Sequence, residues 1–284
     1  MTAEPVPADL PTPQQRKGCY YGEALLSRGE RMSKKKRVLV TGAEGKIGTA
    51  VRRELGARYD LVLLTRGPQP FPSHVGDIAE LETIEPAFLG VDAVVHLAAS
   101  AAVDSPWDDV LANNLIGTYN MFEAARRGGA TRIVFASSNH AIGMYELDGA
   151  PELYRLDDRR VYDHMVEIRP DSLYGVSKVY GEALGRFYSE CHGMAVICLR
   201  IGWVVDDDDP RAAAASFGVS GTERVRAVWL SQRDCTQLIE RSLEAEHVPF
   251  AVVYGISDNP RQFWDLAHAR ELLGYEPRDR APES

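Results

Sequence analysis

Short apolar runs alternate with longer amphipathic segments along the chain from residue 37 onward. The near-continuous apolar runs predict buried strands at residues 37–41, 61–65, 92–97, 132–137, 195–201 and 250–256. Helical periodicity predicts helices at residues 46–57, 107–127, 171–192, 231–246 and 265–273. Strands and helices that alternate in this way are typical of βαβ units. We therefore predict an α/β fold, with a doubly wound parallel sheet covered by helices on both faces.

The sequence also predicts a division of the chain into three parts. Residues 1–32 carry four prolines among polar residues and no periodicity that could bury a face. We interpret them as a flexible tail or, alternatively, as a mis-assigned start upstream of the natural one at Met32. Residues 33–201 hold the predicted core of the fold. Residues 202–284 are predicted to form a small C-terminal lobe, together with a late strand and helix.

Composition narrows the classes of protein that fit this pattern. The 284 residues include 41 acidic and 32 basic side chains, and the resulting charge of −9 argues against a nucleic-acid partner. The chain has no apolar stretch of the ~18–20 residues that a membrane span needs, and no secretory beginning. We therefore expect a cytoplasmic protein that binds no membrane. The four cysteines lack Cys-x-x-Cys spacing, and the acidic run 206–209 suits a solvated loop, so we expect no metal site.

A glycine-rich turn follows the first predicted strand and opens the first predicted helix. It reads Gly42-Ala43-Glu44-Gly45-Lys46-Ile47-Gly48. Glycines here let the backbone approach a pyrophosphate, whose charge is stabilised by the helix N-terminus. We interpret the turn as a dinucleotide-binding loop on a Rossmann-type sheet, with an ordinary tight turn as the alternative. The residues expected to contact the dinucleotide are Gly42, Gly45, Lys46, Ile47 and Gly48.

The Gly-x-x-Gly-x-x-Gly spacing resembles that of the extended short-chain dehydrogenase/reductase family, which is also called the NAD-dependent epimerase/dehydratase family. Further matching segments extend this resemblance over nearly all of residues 38–277. The resemblance implies that Leu97, Ala98 and Ala99 contact the cofactor at the end of the predicted strand 92–97. It also implies cofactor contacts from Asp77 on the adenine side and from Asn114 in the central helix.

Tyr174 and Lys178 lie one helical turn apart, and Lys178 is the only lysine after Lys46. An ammonium group on the same helix face stabilises a phenolate and lowers its pKa. Ser138 lies just past the end of the predicted strand 132–137, where open α/β sheets place their ligand contacts. The three residues match the Ser-Tyr-Lys set of the family. The resemblance therefore implies that they are catalytic, and that Tyr174 and Lys178 also contact the cofactor.

The segment Ser137-Ser138-Asn139-His140 resembles the sugar dehydrogenases of this family, namely the uronate dehydrogenases and the haloarchaeal NAD-dependent glucose-6-phosphate dehydrogenases. This resemblance implies an oxidoreductase that transfers a hydride from the anomeric carbon of an anionic aldose to NAD(P) and forms a lactone. The expected aldose is glucose 6-phosphate or a hexuronate such as glucuronate or galacturonate. The implied substrate contacts, some of them in a substrate-binding C-terminal lobe, are Ser100, Ser138, Asn139, His140, Trp203 and Arg224.

Arg224 is the expected anchor for the anionic end of the sugar. It stands five residues before Trp229, the spacing of the arginine that holds the carboxylate in the uronate enzymes. A guanidinium group binds a carboxylate or a phosphate through two parallel hydrogen bonds. Two alternatives stay open: the nearby Arg226 could be the true contact, or Arg224 could be a loop arginine paired with Glu223 or with solvent. Trp203 replaces a substrate-contacting serine of those enzymes, so the sequence leaves the identity of the sugar open.

Two other functions share the same core. A nucleotide-sugar epimerase or dehydratase would need room for a nucleotide diphosphate in the C-terminal lobe, and only about 80 residues follow Ile201. A catalytically silent dinucleotide-sensing regulator would be suggested by loss of Tyr174 or Lys178, and both are present. For the active enzyme, we expect a small sugar as the ligand and a homo-oligomer as the assembly.

The end of the second strand bears on the choice of cofactor. An acid at this position would bind the ribose 2′-hydroxyl of NAD and repel the phosphate of NADP. The sequence instead reads Leu64-Thr65-Arg66. A hydroxyl followed by a guanidinium suits a phosphate. We therefore predict that Thr65 and Arg66 contact the cofactor and that NADP is accepted and preferred over NAD.

Overall fold

A seven-stranded parallel sheet organises the computed structural model, which describes residues 35–211 and 218–282, with backbone only at 218–220. The strands are β1 (Arg37–Thr41), β2 (Asp60–Thr65), β3 (His74–Val75), β4 (Ala93–His96), β5 (Arg132–Ser138), β6 (Ala195–Ile201) and β7 (Phe250–Gly255). The helices are α1 (Lys46–Leu55), α2 (Leu81–Phe88), α3 (Trp107–Asp109), α4 (Gly117–Gly128), α5 (Met144–Gly149), α6 (Leu173–His192), α7 (Gly218–Val228), α8 (Gln232–Glu244) and α9 (Ala267–Leu273).

The strand order defines where a ligand can enter. It runs β3-β2-β1-β4-β5-β6-β7, so the chain moves outward in one direction from β1 and then returns to pair β4 with the other edge of β1. In doubly wound sheets a crevice opens at the carboxyl ends of the strands, where the order reverses. The predicted Rossmann-type fold class is confirmed, and the crevice lies beyond Thr41 and His96, which are paired in register.

Alternate residues of the strands enter two separate cores, one on each face of the sheet. On β1, Val38 and Val40 pack into one core while Leu39 packs into the other. The first core also receives α1 and α8, and the second receives α2, α4 and α6. A sheet buried on both faces needs apolar residues at every position of its strands, which explains the near-continuous apolar runs.

Serine caps fix the beginnings of two predicted helices. The Ser172 side chain accepts a hydrogen bond from the backbone N–H of Gly175 at the start of α6. The Ser231 side chain accepts one from the backbone N–H of Asp234 at the start of α8. Such caps satisfy N–H groups that have no partner within the helix. Both helices therefore begin one or two residues inside the predicted bounds.

The structure differs from the predicted elements at several places, and strand β3 and helices α5 and α7 are among the elements that were not predicted. The predicted helix 107–127 is broken into α3, a π-helical segment Val110–Ile116 and α4. Helix α2 was not predicted, and it contains Pro86, which lacks the N–H that a helix interior uses. A π-helical turn is frequently found at functional sites, and this one carries the predicted site residue Asn114.

The described residues from Lys35 onward form one compact unit. Its last strand, β7, pairs with β6 and therefore belongs to the main sheet. The division between a core ending at residue 201 and a substrate-binding lobe stays a prediction, and the predicted tail, residues 1–32, lies outside the described residues. Within the described ranges, no helix is both long and apolar enough to cross a membrane.

Candidate active site

A pocket of about 590 Å³ lies at the carboxyl ends of the central strands. Its walls come from the glycine-rich turn, the ends of β2, β4, β5 and β6, and the first turns of α6. The structure brings most of the predicted site residues together here. Those that line the pocket are Gly42, Gly45, Lys46, Ile47, Gly48, Thr65, Arg66, Leu97, Ala98, Ala99, Ser138, Tyr174, Lys178 and Trp203.

The glycine-rich turn approaches the end of β4 more closely than any side chain would allow. Gly42 has a φ of 65°, and a Cβ atom there would lie 2.8 Å from the backbone nitrogen of Ala98. Helix α1 then begins at Lys46, after Gly45, which supplies no side-chain cap. The free N–H groups of the first turn therefore remain available for an anionic ligand, as the dinucleotide interpretation requires.

A buried hydrogen-bond network holds the segment Leu97–Ala99, which lies next to this turn. The Thr41 hydroxyl accepts hydrogen bonds from the backbone N–H groups of Leu97 and Ala98, each 3.2 Å long. Its own proton can then be donated to Nδ1 of His96, 2.8 Å away. Burial, with a smaller contribution from the charge of Lys178, lowers the pKa of His96 to about 3. His96 is therefore neutral and structural, and it shapes the Leu97–Ala99 wall.

Ser138, Tyr174 and Lys178 meet at the inner end of the pocket. The ammonium nitrogen of Lys178 lies 5.3 Å from the centre of the Tyr174 ring, one turn away on α6. Burial lowers the pKa of Lys178 to about 8, so this residue is still mostly protonated at neutral pH. Burial raises the pKa of Tyr174, while a hydrogen bond with Ser138 acts in the opposite direction.

Asn139 and His140 follow Ser138 and pack beside the same residues. The Nδ1 atom of His140 lies 2.7 Å from a carboxylate oxygen of Asp171, and its ring contacts Tyr174 edge-on. Burial acts to raise the pKa of Asp171, but hydrogen bonds with His140 and Ser172 outweigh it and leave that pKa below its ordinary value. Asp171 is thus an ionised partner that fixes the orientation of the His140 ring.

Two predicted contacts, Ser100 and Asn114, bind each other. The Asn114 amide accepts from the backbone N–H of Ser100 and donates to its carbonyl and to the Ser177 hydroxyl. Asn114 is 2% exposed. With its side chain used in this way, Asn114 supports the loop after β4 and ties it to α6, rather than facing the pocket.

The adenine end of the pocket is arranged differently from the expectation. The Thr65 hydroxyl is already engaged with the Gly67 carbonyl and the Ser73 hydroxyl, each at 2.9 Å. The Arg66 guanidinium donates to the Asn113 side chain at 3.2 Å. The Asp77 side chain is exposed and accepts from the N–H of Ala79. Of the three predicted contacts at this end, only Arg66 retains a group suited to a phosphate.

Arg224 is held by a buried carboxylate. Its Nε donates to Glu146 at 2.5 Å, and the Tyr154 hydroxyl donates to the same oxygen at 2.9 Å. The guanidinium carbon lies 6.0 Å from the ring of Trp203, which lines the pocket. Burial lowers the pKa of Arg224, but the charge of Glu146 outweighs this effect and raises it overall. Arg224 therefore lies near Trp203 but outside the pocket lining, and it is paired with Glu146 rather than with Glu223 or with solvent alone.

The acidic run 206–209 does not converge on one point. Asp206 pairs with Lys46 of the glycine-rich turn at 3.0 Å, and Asp209 pairs with Arg211. Asp208 accepts from the backbone N–H of Gln232. Across the described part of the chain, no group of three or more His, Cys, Asp or Glu side chains is placed to hold a metal ion.

The sequence analysis did not predict several residues that support the site. Glu44, Asp171 and Glu146 each hold a residue that was predicted, and Glu182 anchors helix α6. A signal was present for Glu182, which continues the four-residue spacing of Tyr174 and Lys178. The sequence held no comparable signal for Glu146, whose partner is 78 residues away.

The sheet order, the glycine-rich turn and the Ser-Tyr-Lys set together define a dinucleotide-dependent oxidoreductase of the short-chain dehydrogenase/reductase type. The chain belongs to the NAD dependent epimerase/dehydratase family, whose profile matches residues 38–206. The predicted resemblance is therefore confirmed.

Relatives within the family share nearly the full length of this chain. The chain is 40% identical over 257 residues to the NAD-dependent glucose-6-phosphate dehydrogenase of Haloferax volcanii, covering 87% of this chain and 94% of the relative. It is 40% identical over 250 residues to the L-arabinose 1-dehydrogenase (NAD(P)(+)) of the same organism, covering 86% and 97%. A mutant of Agrobacterium tumefaciens uronate dehydrogenase, solved in complex with NAD, superposes with a TM-score of 0.72 at 33% identity, covering 87% and 86%. These relatives agree with the predicted sugar dehydrogenase class.

Proposed function

We propose that the protein oxidises the anomeric carbon of an anionic aldose, glucose 6-phosphate or a hexuronate, to a lactone with NAD or NADP as the hydride acceptor. The observation that carries this proposal is that Ser138, Tyr174 and Lys178 line the same pocket as the glycine-rich turn. The proposed proton acceptor and the proposed dinucleotide site therefore open onto the same pocket. The identities to a glucose-6-phosphate dehydrogenase and to an L-arabinose 1-dehydrogenase support the choice of an aldose.

Tyr174 is the proposed base that takes the proton of the C1 hydroxyl. Ser138, which hydrogen-bonds Tyr174, would hold the same sugar oxygen, so that the proton has a short path. The Lys178 ammonium, one turn further along α6, lowers the cost of forming the Tyr174 phenolate and can donate to a ribose hydroxyl of the cofactor. Bound NAD(P) supplies the hydride acceptor, and these residues supply position and electrostatics.

His140 and Asn139 are the proposed partners of the sugar hydroxyls. The Asp171 carboxylate, 2.7 Å from Nδ1, favours a proton on that nitrogen. The Nε2 atom of His140 is then left as an acceptor for a sugar hydroxyl. Ser100, on the loop held by Asn114, is proposed to contact the substrate from the opposite side of the pocket.

The anionic end of the sugar is proposed to bind at Arg224. Glu146 engages both Nε and Nη2 of the guanidinium, and the N–H groups that do not face this carboxylate can still donate to a carboxylate or phosphate. Because Glu146 compensates part of the charge, the expected selectivity for anions is weaker than that of an unpaired arginine. Because Trp203 lines the pocket and Arg224 does not, the far end of the substrate would have to reach past Trp203 or displace it.

The cofactor is proposed to lie with its pyrophosphate on the glycine-rich turn and the N-terminus of α1. The predicted preference for NADP depends on Arg66 alone, because the Thr65 hydroxyl already has partners. It stays a prediction, and a comparison of kcat/KM for NAD and NADP with one sugar tests it.

The test of the function is oxidation of a sugar panel, followed by the ultraviolet absorbance of reduced nicotinamide. The panel contains glucose 6-phosphate, glucuronate, galacturonate, neutral glucose, L-arabinose and UDP-glucose, each with NAD and with NADP. We expect turnover of at least one anionic aldose, with the Tyr174→Phe variant as the control for the site. Absence of turnover for every aldose would refute the proposal. Equal rates for glucose and for the anions would refute its anionic part.

Self-association is also proposed. Apolar side chains are exposed on α6 and on the neighbouring helical segment 107–119, namely Trp107, Ile116, Tyr119, Leu173, Val176 and Phe187. Contiguous exposed apolar residues often mark an interface between subunits. We expect the protein to sediment as an oligomer, and a Val176→Asp variant to sediment as a smaller species.

A further inference from the structure

The end of β2 lacks an acid, yet a carboxylate reaches it from another segment. Glu44, inside the glycine-rich turn, accepts a hydrogen bond from the backbone N–H of Arg66 at 3.0 Å. Arg66 is the residue directly after β2. Glu44, Thr65 and Arg66 line the same end of the pocket. The position where doubly wound folds usually place a strand-end acid is therefore occupied by a carboxylate from the turn.

The hydrogen bond with Arg66 leaves Glu44 able to bind a ligand. A carboxylate has two oxygens, and each can accept more than one hydrogen bond. The backbone N–H of Arg66 fixes one oxygen and so orients the carboxylate. The carboxylate can still accept further hydrogen bonds. The remaining capacity suits the 2′-hydroxyl of a ribose, which is a donor, and does not suit a phosphate, which is an anionic acceptor.

The neighbouring groups that would favour a phosphate are partly engaged. The Thr65 hydroxyl is bonded to Gly67 and Ser73, and the Arg66 guanidinium donates to Asn113. The charge of Arg66 remains, and it opposes that of Glu44. At the 2′ position of the cofactor, the charge of Arg66 therefore favours a phosphate and the charge of Glu44 disfavours it.

We propose that Glu44 is a cofactor-specificity residue, which binds the ribose 2′-hydroxyl of NAD and disfavours the 2′-phosphate of NADP. This inference rests on the proposed dinucleotide site and goes beyond it, because it assigns the discrimination to a residue of the turn. It also opposes the predicted preference for NADP, since it identifies a negative charge that the strand sequence does not reveal.

The experiment measures binding rather than turnover, so that it does not depend on the sugar. NADH and NADPH are titrated into the full-length protein, and their dissociation constants are obtained from nicotinamide fluorescence. The Glu44→Gln variant keeps an oxygen that can accept from Arg66 but loses the charge. We expect the ratio of the NADPH to the NADH dissociation constant to fall by ~10-fold or more, because a like charge within contact distance of the phosphate is removed.

A matched control is the Glu54→Gln variant. Glu54 lies in the last turn of α1, at the end opposite the pocket, and is paired with Arg53. This variant carries the same type of substitution and the same change in net charge, but far from the pocket. Its ratio of the NADPH to the NADH dissociation constant should therefore equal that of the wild type. An unchanged or higher ratio in Glu44→Gln, with both dinucleotides still binding, would overturn the inference and leave the proposed function intact. Failure of the wild type to bind either dinucleotide would overturn both.

Discussion

Glu182 forms a buried ion pair that holds helix α6, which carries Tyr174 and Lys178, against the sheet. Its two carboxylate oxygens each accept from Arg200 of β6 at 2.9 Å, and one also accepts from Ser137 of β5 at 2.6 Å. The side chains of Arg200 and Glu182 are 3% and 6% exposed. Glu182 stands two turns after Tyr174 on α6, so the pair fixes the face of the helix that carries the site.

The substitution Glu182→Gln removes the charge while keeping the shape. The amide retains one acceptor oxygen, but its NH₂ group faces a guanidinium N–H, so two donors oppose each other. Arg200 is left as a buried charge without a counterion. Breaking a buried pair by removing one partner costs ~3–5 kcal/mol. We therefore expect the free energy of unfolding to fall by about that amount.

The measurement is urea unfolding followed by circular dichroism, with Glu190→Gln as the control. Glu190 lies on the same helix and pairs with Arg186 at 3.4 Å, but the side chains are 65% and 57% exposed. An exposed pair of this kind contributes ~0–1 kcal/mol. If Glu182→Gln loses no more stability than Glu190→Gln, the assignment of the pair as a structural anchor is wrong. Replacing both Glu182 and Arg200 by methionine should restore most of the loss, because no unpaired charge remains.

Three further predictions concern the site. Tyr174→Phe should lower kcat by the ~10²–10⁴-fold typical of lost acid–base catalysis while leaving the dissociation constant of NADH nearly unchanged, and near-wild-type kcat would remove Tyr174 from the mechanism. Arg224→Met should raise KM for anionic aldoses with little change in KM for the cofactor; equal effects on glucose and glucose 6-phosphate would contradict the anchor. Lys178, whose pKa is lowered from 10.5 to about 8 by burial, should make the folded state more stable as pH rises from 8 towards 10.5, because the unfolded chain keeps its proton longer. In the absence of cofactor, Lys178→Met should accordingly have a free energy of unfolding up to ~3 kcal/mol higher than that of the wild type at pH 7. This difference in stability should shrink at high pH. A variant that is less stable than the wild type at pH 7 would show that burial does not penalise the ammonium.

The sequence by itself determined the features that depend on local patterns. The apolar strands, the glycine-rich turn and the spacing of Tyr174 and Lys178 are each contained in a short stretch of chain. Helix and strand periodicities place such residues on one face without any knowledge of distant contacts. The predicted fold class, family and enzyme class were therefore confirmed. Helix α2 was missed because it is only eight residues long and contains Pro86, a residue that local propensity disfavours in a helix.

Only the tertiary structure decided which charged groups meet. Asp171 is 31 residues from His140, Glu44 is 22 from Arg66, and Glu146 is 78 from Arg224. These partners are brought together by strand order and register, and no periodicity along the chain encodes them. Such pairs change the chemistry that the sequence predicted, because a ligand interacts with the combined field of a charged group and its nearest counter-charge. Arg66 and Arg224 looked like free anion sites in the sequence, and the fold places a carboxylate beside each of them.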